Sequence, residues 1–219
     1  VAQGDMQATN WFTSGGIVMV PLLGFSILAV ALIFERISFW AKVTKRHDHI
    51  IREVLTLYRR SPRAAFLMLE QNTDLPIARI FLAALELEEA TPEEFRLALE
   101  SAAQAEIPLL KRFNTVFETI ISLAPLLGLL GTILGLIASF ANLRLGDVGG
   151  TNTTNVTGGI SEALISTASG LVVAIVTLMF ANTFRGLYIR QIALIQEYGG
   201  QLELLYRRRH EKGGSYAST

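Results

Sequence analysis

Three stretches of the chain carry no charged side chain: residues 15–34, 119–143 and 163–184. Their lengths of 20, 25 and 22 residues match the roughly 20 apolar residues that cross a hydrocarbon core about 30 Å thick. Hiding three such helices in a soluble fold would demand a larger polar shell than the rest of the chain supplies. The pattern therefore predicts an all-α membrane protein with three transmembrane helices.

The intervening segment, residues 42–118, has a different texture. It mixes 11 basic and 12 acidic side chains with Leu, Ala, Ile and Phe, and its apolar positions recur at helical spacing, as in Ile50, Ile51, Val54, Leu55 and Leu57. Ser61-Pro62 reads as an N-cap followed by proline at the first helical position. Asp74-Leu75-Pro76 marks a break and a new start. Thr91-Pro92-Glu93-Glu94 is the clearest start, with Glu94 placed to close a capping box. Few breakers follow until Leu143, so the pattern allows either one helix of about 75 Å or a separate helix joined at a kink near Pro108. In the tail, Ile189, Ile192, Ile195, Leu202 and Leu205 extend the third helix beyond its apolar run, and the polar residues from His210 to the end are expected to be loose.

Charge orients the spans. Arg36, Lys42, Lys45 and Arg46 follow the first run, Lys111 and Arg112 precede the second, and Arg185 and Arg190 follow the third. The opposite side offers only Arg144. The positive-inside rule then places the N-terminus outside and the C-terminus in the cytoplasm. The resulting division is an external segment at 1–14, spans at 15–41, 119–143 and 159–184, a cytoplasmic helical region at 42–118, an external loop at 144–158 and a cytoplasmic helical tail at 185–219. Val1 in place of Met leaves proteolytic processing of the N-terminus open.

Composition narrows the chemistry. The 219 residues are 51% hydrophobic and 17% charged, with a mean hydropathy of +0.42. The 19 basic and 19 acidic residues cancel, which gives no global field for nucleic acid. The absence of cysteine excludes disulfides, thiolate nucleophiles and Cys-ligated metals, and three scattered histidines make a poor metal site. The phosphate-binding, zinc-protease and dinucleotide motifs are missing, so neither a cofactor nor an enzymatic activity is expected. Arg207, Arg208 and Arg209 suit either attraction to anionic membrane lipid or a solvated tail.

Two spans have unusual faces. In the second, Gly128, Gly131, Thr132, Gly135 and Ser139 recur every three or four residues. In the third, Ala163, Thr167, Gly170, Ala174, Thr177 and Ala181 form a second stripe of small residues. Such faces let helices approach closely where oil supplies no hydrophobic drive. The first span, with Leu22, Leu23, Phe25, Ile27, Leu28, Leu32 and Ile33, reads as the lipid-facing helix.

Glu162 stands one position before the third run, on a face with Ser166 and Ser169. It reads either as a boundary glutamate in water or, if helix begins earlier in the Thr- and Gly-rich segment, as an acid in a protein-lined cavity. An acid in a cavity is a proton or ion site by default.

Leu123-Ala-Pro-Leu-Leu-Gly-Leu-Leu-Gly-Thr132-Ile-Leu-Gly135 resembles the second-span signature of the ExbB/TolQ/MotA proton-channel family. Glu162-Ala-Leu-Ile-Ser-Thr167-Ala-Ser-Gly170-Leu-Val-Val-Ala-Ile is similar to its third-span signature, with Asn182-x-Phe184 following and Glu35-Arg36 fitting the end of the first span. Within that family the chain is closest to ExbB. The resemblance implies a multi-pass subunit of the bacterial inner membrane that assembles as a homo-pentamer. Its second and third helices would line a pore occupied by a dimer of ExbD-like single-span subunits, and the motor would energise a TonB-like protein for transport across the outer membrane. It makes Glu162 the pore acid and Thr132 and Thr167 hydroxyls on the proton pathway. Gly128, Gly131, Gly135, Ser139, Ser166, Gly170 and Ala174 become packing or pore-lining positions. A TolQ-like subunit serving envelope integrity and a non-conducting scaffold are the alternatives, and proton against sodium stays open. The departure is Val176, where the family commonly has proline, so the third span should be straighter here.

Overall fold

The computed structural model describes residues 16–87, 89–144 and 152–216. Among them lie six helices: α1 (Met19–Arg60), α2 (Pro62–Glu70), α3 (Pro76–Leu85), α4 (Pro92–Leu110), α5 (Asn114–Arg144) and α6 (Asn152–Tyr216). Three stretches of described helix are long and apolar enough to cross a membrane, one each in α1, α5 and α6. The expected external segment at 1–14 and residues 145–151 of the expected loop lie outside the described residues. α6 begins at Asn152, inside the segment read as a turn, and runs to Tyr216 without an internal proline. With Val176 in place of proline, each interior backbone N–H of that stretch stays available to the helical ladder.

Two compact units emerge. One holds residues up to 35 and 113–183; the other holds 36–112 and 184 onward.

In the first unit the small faces of α5 and α6 meet. Ala124, Gly128, Gly131, Gly135 and Ser139 of α5 are buried, as are Ala163, Ser166, Gly170, Ala174 and Thr177 of α6. Without Cβ atoms, the two backbones come together far closer than larger residues would permit. The first span, read as the lipid-facing helix, is the least buried of the three, but one of its stripes is packed. Val18, Met19, Leu22, Ala29 and Ile33 are buried, and Met19 and Leu22 share a core with Ala124 and Ala174, flanked by Leu127 and Val173. The rest of α1, with Val20, Leu23, Ile27, Leu28, Val30 and Phe34, faces outward. A run greasy on all sides conceals which stripe is packed; the contacts it meets decide. Ile137, Leu164, Ile175 and Met179 are also exposed, an apolar exterior suited to hydrocarbon.

The second unit is built as a soluble protein is. α3 is its most buried helix, with Ile77, Ala78, Ile80, Phe81 and Ala84 each almost fully enclosed. The caps read in the sequence are formed. Ser61 Oγ accepts from the Ala64 N–H at 3.4 Å. Thr91 Oγ1 accepts from the Glu94 N–H at 3.3 Å while Glu94 Oε2 accepts from the Thr91 N–H at 2.7 Å. α3 starts after Leu75 without a side-chain cap. Its approach is held instead by Arg46, which donates to Asn72 and Asp74 at 2.7 and 2.5 Å, and by Arg79, which donates to Thr73 O at 2.6 Å. Arg79 also forks onto Glu106 of α4 at 2.7 and 2.5 Å, and that paired hydrogen bond raises its already high pKa.

The long helix allowed from Thr91 to Leu143 is interrupted. α4 ends at Leu110, residues 111–113 form a turn, and Phe113 takes a left-handed φ of 68°. Pro108 sits inside α4 and supplies no N–H, which weakens its last turns. The carbonyls at the helix end and in the turn after it are taken by Arg36, whose Nε donates to Arg112 O at 2.9 Å and whose Nη2 donates to Leu110 O and Leu109 O at 2.8 and 3.1 Å.

The tail does not loosen at His210. Helix continues to Tyr216, and Tyr206 stacks on Phe95 with centroids 4.0 Å apart and donates to Ala90 O at 2.6 Å. Arg207 reaches Glu203 and Glu93 at 3.2 and 3.6 Å, so it is engaged with protein carboxylates rather than simply offered to lipid or water.

Candidate functional site

Hydroxyls placed at helical spacing on an apolar span usually bond back to their own helix. Several do so here: Ser139 donates to Gly135 O at 2.9 Å, Thr177 to Val173 O at 2.7 Å and Thr183 to Met179 O at 2.9 Å. Thr132, Ser166 and Thr167 behave differently because the glycine beside them admits a neighbouring helix. Thr132 Oγ1 lies 3.2 Å from Gly128 O and 3.2 Å from Ala163 O across the seam, and it pairs directly with Thr167 Oγ1. Thr167 Oγ1 donates across to Gly128 O at 3.0 Å. Ser166 Oγ reaches Ala163 O at 2.8 Å and Gly128 O at 3.4 Å. Sequence reading named both threonines; the structure brings them into contact.

The glycines explain why this contact forms. A Cβ on Gly128 would stand 3.0 Å from Ser166 O and 3.0 Å from Thr167 Cα. One on Gly135 would meet Gly159 O at 2.9 Å and Ala163 Cβ at 3.0 Å, and one on Gly170 would meet Ala124 O at 2.5 Å. On Gly131 it would collide with Ser166 Oγ. Gly128, Gly131, Gly135, Ser139, Ser166 and Gly170 thus pack α5 on α6 of the same chain, while Ala174 joins the core with Met19 and Leu22.

Glu162 is not in the threonine pair. Its side chain is partly buried on α6, five residues before Thr167, which is about 7.5 Å along the axis. It lies on the Ser166 side of the helix and against the segment that leads into α1. There Gly16, with a left-handed φ of 71°, leaves open the space that Glu162 Oε1 fills. Helix begins ten residues before Glu162, at Asn152, so the carboxyl is not at a helix start.

Three participants were not singled out in the sequence. Gly16 left only the signal of a Gly-Gly pair ahead of an apolar run. Gly159 continues the α6 stripe by one spacing, and Ala124 continues the α5 stripe likewise; both were legible by extending the period. Among the described residues no cluster of three or more His, Asp or Glu could hold a metal ion.

Comparison with known proteins bears on this arrangement. A sequence model of the MotA/TolQ/ExbB proton channel family, so described, matches residues 72–197. The ExbB-like 3 protein of Synechocystis sp. is 65% identical over 199 residues, covering 91% of this chain and 95% of that relative. The ExbB-like 1 protein of the same organism is 43% identical over 197 residues, covering 90% and 78%. The biopolymer transport protein ExbB of Salmonella typhimurium is 28% identical over 206 residues, covering 87% and 81%.

Proposed function

The chain belongs to the MotA/TolQ/ExbB proton channel family, and from that premise we propose that it couples the proton-motive force to TonB-dependent transport across the outer membrane. It is a multi-pass protein of the bacterial inner membrane, and a proton-channel and motor subunit rather than an enzyme. In the proposed topology the N-terminus is outside and the C-terminus inside. Spans at 15–41, 119–143 and 159–184 separate external residues 1–14 and 144–158 from cytoplasmic residues 42–118 and 185–219. The distribution of basic residues supports this orientation.

Five copies form a ring around a dimer of ExbD-like single-span subunits, and the assembly drives a TonB-like protein. The relatives with ExbB names support this pathway over a Tol-type one. Within the ring Glu162 takes up and releases the proton, and the Thr132–Thr167 pair continues the route. One proton crossing 100 mV supplies about 2.3 kcal/mol, so a stroke of any mechanical size draws on several protons.

The observation that carries this reading is the pairing of Thr132 with Thr167 across the seam, with the partly buried Glu162 carboxyl less than two turns away. The test is gradient-dependent uptake in cells expressing equal amounts of wild type or Glu162→Gln. The variant keeps the side chain's size and loses its titration. It is expected to assemble with its partners and to fail in uptake; normal uptake would rule out proton exchange at Glu162.

A further inference from the structure

We infer that Gly16, in the segment leading into the first span, is a positioning residue for the Glu162 carboxyl. This rests on the reading of Glu162 as the pore acid and adds to it a contribution from the first helix, which the pairing of α5 with α6 does not itself require.

Two independent features of Gly16 favour glycine over other residues. Its φ of 71° is a conformation that side-chain-bearing residues rarely adopt. Its missing Cβ leaves the place that Glu162 Oε1 occupies, with Glu162 Cδ 3.1 Å and Cγ 3.6 Å from the same point. The segment is also held in place. The Met19 N–H donates to Gly16 O at 3.1 Å, closing the turn. Val18 and Met19 are 5% and 6% exposed. Val18 Cβ lies 3.6 Å from where a Cβ on Gly131 would stand, and Met19 packs with Leu22, Ala124 and Ala174.

When a methyl group is added at Gly16, something must move. The turn is anchored by two buried side chains, whereas the atom in the way is the far end of a flexible glutamate. The carboxyl therefore gives way, and the proton site is affected over and above the cost of the left-handed φ itself. Gly24, within α1, provides the contrast, since a Cβ there meets nothing within 4 Å.

The experiment uses the assembled complex with its partner subunits, in four variants beside wild type: Gly16→Ala, Gly24→Ala, Glu162→Asp and the Gly16→Ala/Glu162→Asp pair, with Glu162→Gln as reference. Infrared difference spectra against Glu162→Gln isolate the carboxyl band, whose titration is followed with pH. Gly16→Ala is expected to assemble normally and to move the band's midpoint by about half a pH unit or more, with Gly24→Ala unchanged. In uptake, Gly16→Ala should cost about three-fold or more in the Glu162 background and markedly less in the Glu162→Asp background, whose shorter arm withdraws from the methyl. The cost of the left-handed φ is common to both backgrounds and cancels in that cycle.

If Glu162→Asp is itself inactive, the infrared midpoint decides alone. An unmoved midpoint in Gly16→Ala, with Glu162→Gln inactive, overturns the role of Gly16 and leaves the pore acid standing. Normal uptake by Glu162→Gln overturns the pore acid and the role of Gly16 with it.

Discussion

Arg36 is the most consequential buried charge in the second unit, and its removal should be costly. It is 2% exposed, lies 5.0 Å over the Phe39 ring, and spends its guanidinium on the carbonyls of Leu109, Leu110 and Arg112. A helix leaves its last four carbonyls without intrahelical partners; the N–H groups of Lys111 and Arg112 reach Ile107 O and Leu109 O, and Arg36 adds a charged donor to this end. Arg36→Met keeps a long apolar stem and removes the fork. Hydrogen bonds to a charged group contribute about 1.5–3 kcal/mol each when fully sheltered. Lys111 and Arg112 are exposed, so water can reach part of this turn and replace some of that. The expected loss is about 3 kcal/mol in total rather than the full sum of three bonds. Arg36→Lys should recover less than half, because a single ammonium cannot span the three acceptors. Reversible unfolding in detergent micelles measures the loss, and amide hydrogen exchange at residues 111–117 localises it. A loss below about 1 kcal/mol for Arg36→Met, with exchange at those amides unchanged, would refute the clamp.

Burial pushes the Tyr58 hydroxyl up to about 12, Tyr206 adding to the rise and Arg209 opposing it. The neutral ring is thus favoured on folding, so the associated stability is complete below pH 10 and drains away between 10 and about 12; Tyr58→Phe should flatten an alkaline unfolding series over that range. The Thr91 backbone N–H and hydroxyl hold the Glu94 carboxyl below its ordinary value of 4.5; this contribution is present above pH 4.5 and is lost as pH falls through the lowered value, an acid limb that Thr91→Ala, which keeps the backbone N–H, should shrink but not abolish in a circular-dichroism titration. Thr91→Ala should also cost about 1 kcal/mol at neutral pH in the same assay. Gly170→Ala sets a Cβ 2.5 Å from Ala124 O and 3.2 Å from Gly128 Cα, both backbone atoms, and should lower stability by about 1–3 kcal/mol. Gly186→Ala meets nothing within 4 Å and should stabilise α6 by about 1 kcal/mol; equal melting shifts for the two would sink the seam argument.

Much of this architecture could be read before any coordinates. Uncharged runs locate spans because a charge in oil is expensive everywhere along them, and Thr91-Pro92-Glu93-Glu94 locates a helix start because a capping box is a local device. Small residues at regular spacing pointed to close packing for the same reason. What could not be read is which partner each face would meet. The run from Gly15 to Phe34 is greasy on every side, so nothing in it announces that Met19 and Leu22 are packed while Val20 and Ile27 are not. Arg36 looked like one more positive flank, because its acceptors lie more than 70 residues away on a turn that the sequence did not announce. Phe113 hid that turn. Its left-handed φ carries none of the glycine or asparagine that would have marked it, and Pro108 drew attention three residues too early. Gly16 was illegible for a similar reason: its meaning lies in the Glu162 carboxyl, 146 positions later.

The hydroxyls at the seam carry a last consequence that follows from counting protons. Thr132, Ser166 and Thr167 each own one hydroxyl hydrogen, and all three approach Gly128 O, at 3.2, 3.4 and 3.0 Å. A carbonyl oxygen has two lone pairs, and inside α5 one of them already serves the helical ladder. Three hydroxyls therefore cannot all be satisfied there at once. Ala163 O takes up part of the excess, accepting from Ser166 at 2.8 Å and lying 3.2 Å from Thr132, and the two threonines can donate to each other in either sense. Several arrangements of the same three hydrogens are then nearly equivalent, and passing between them needs only rotation about a C–O bond. Thr177 and Thr183 each donate to a carbonyl of their own helix instead. The proposed proton route calls for groups that can turn from one acceptor to another without breaking the fold, and the seam at Gly128 supplies them.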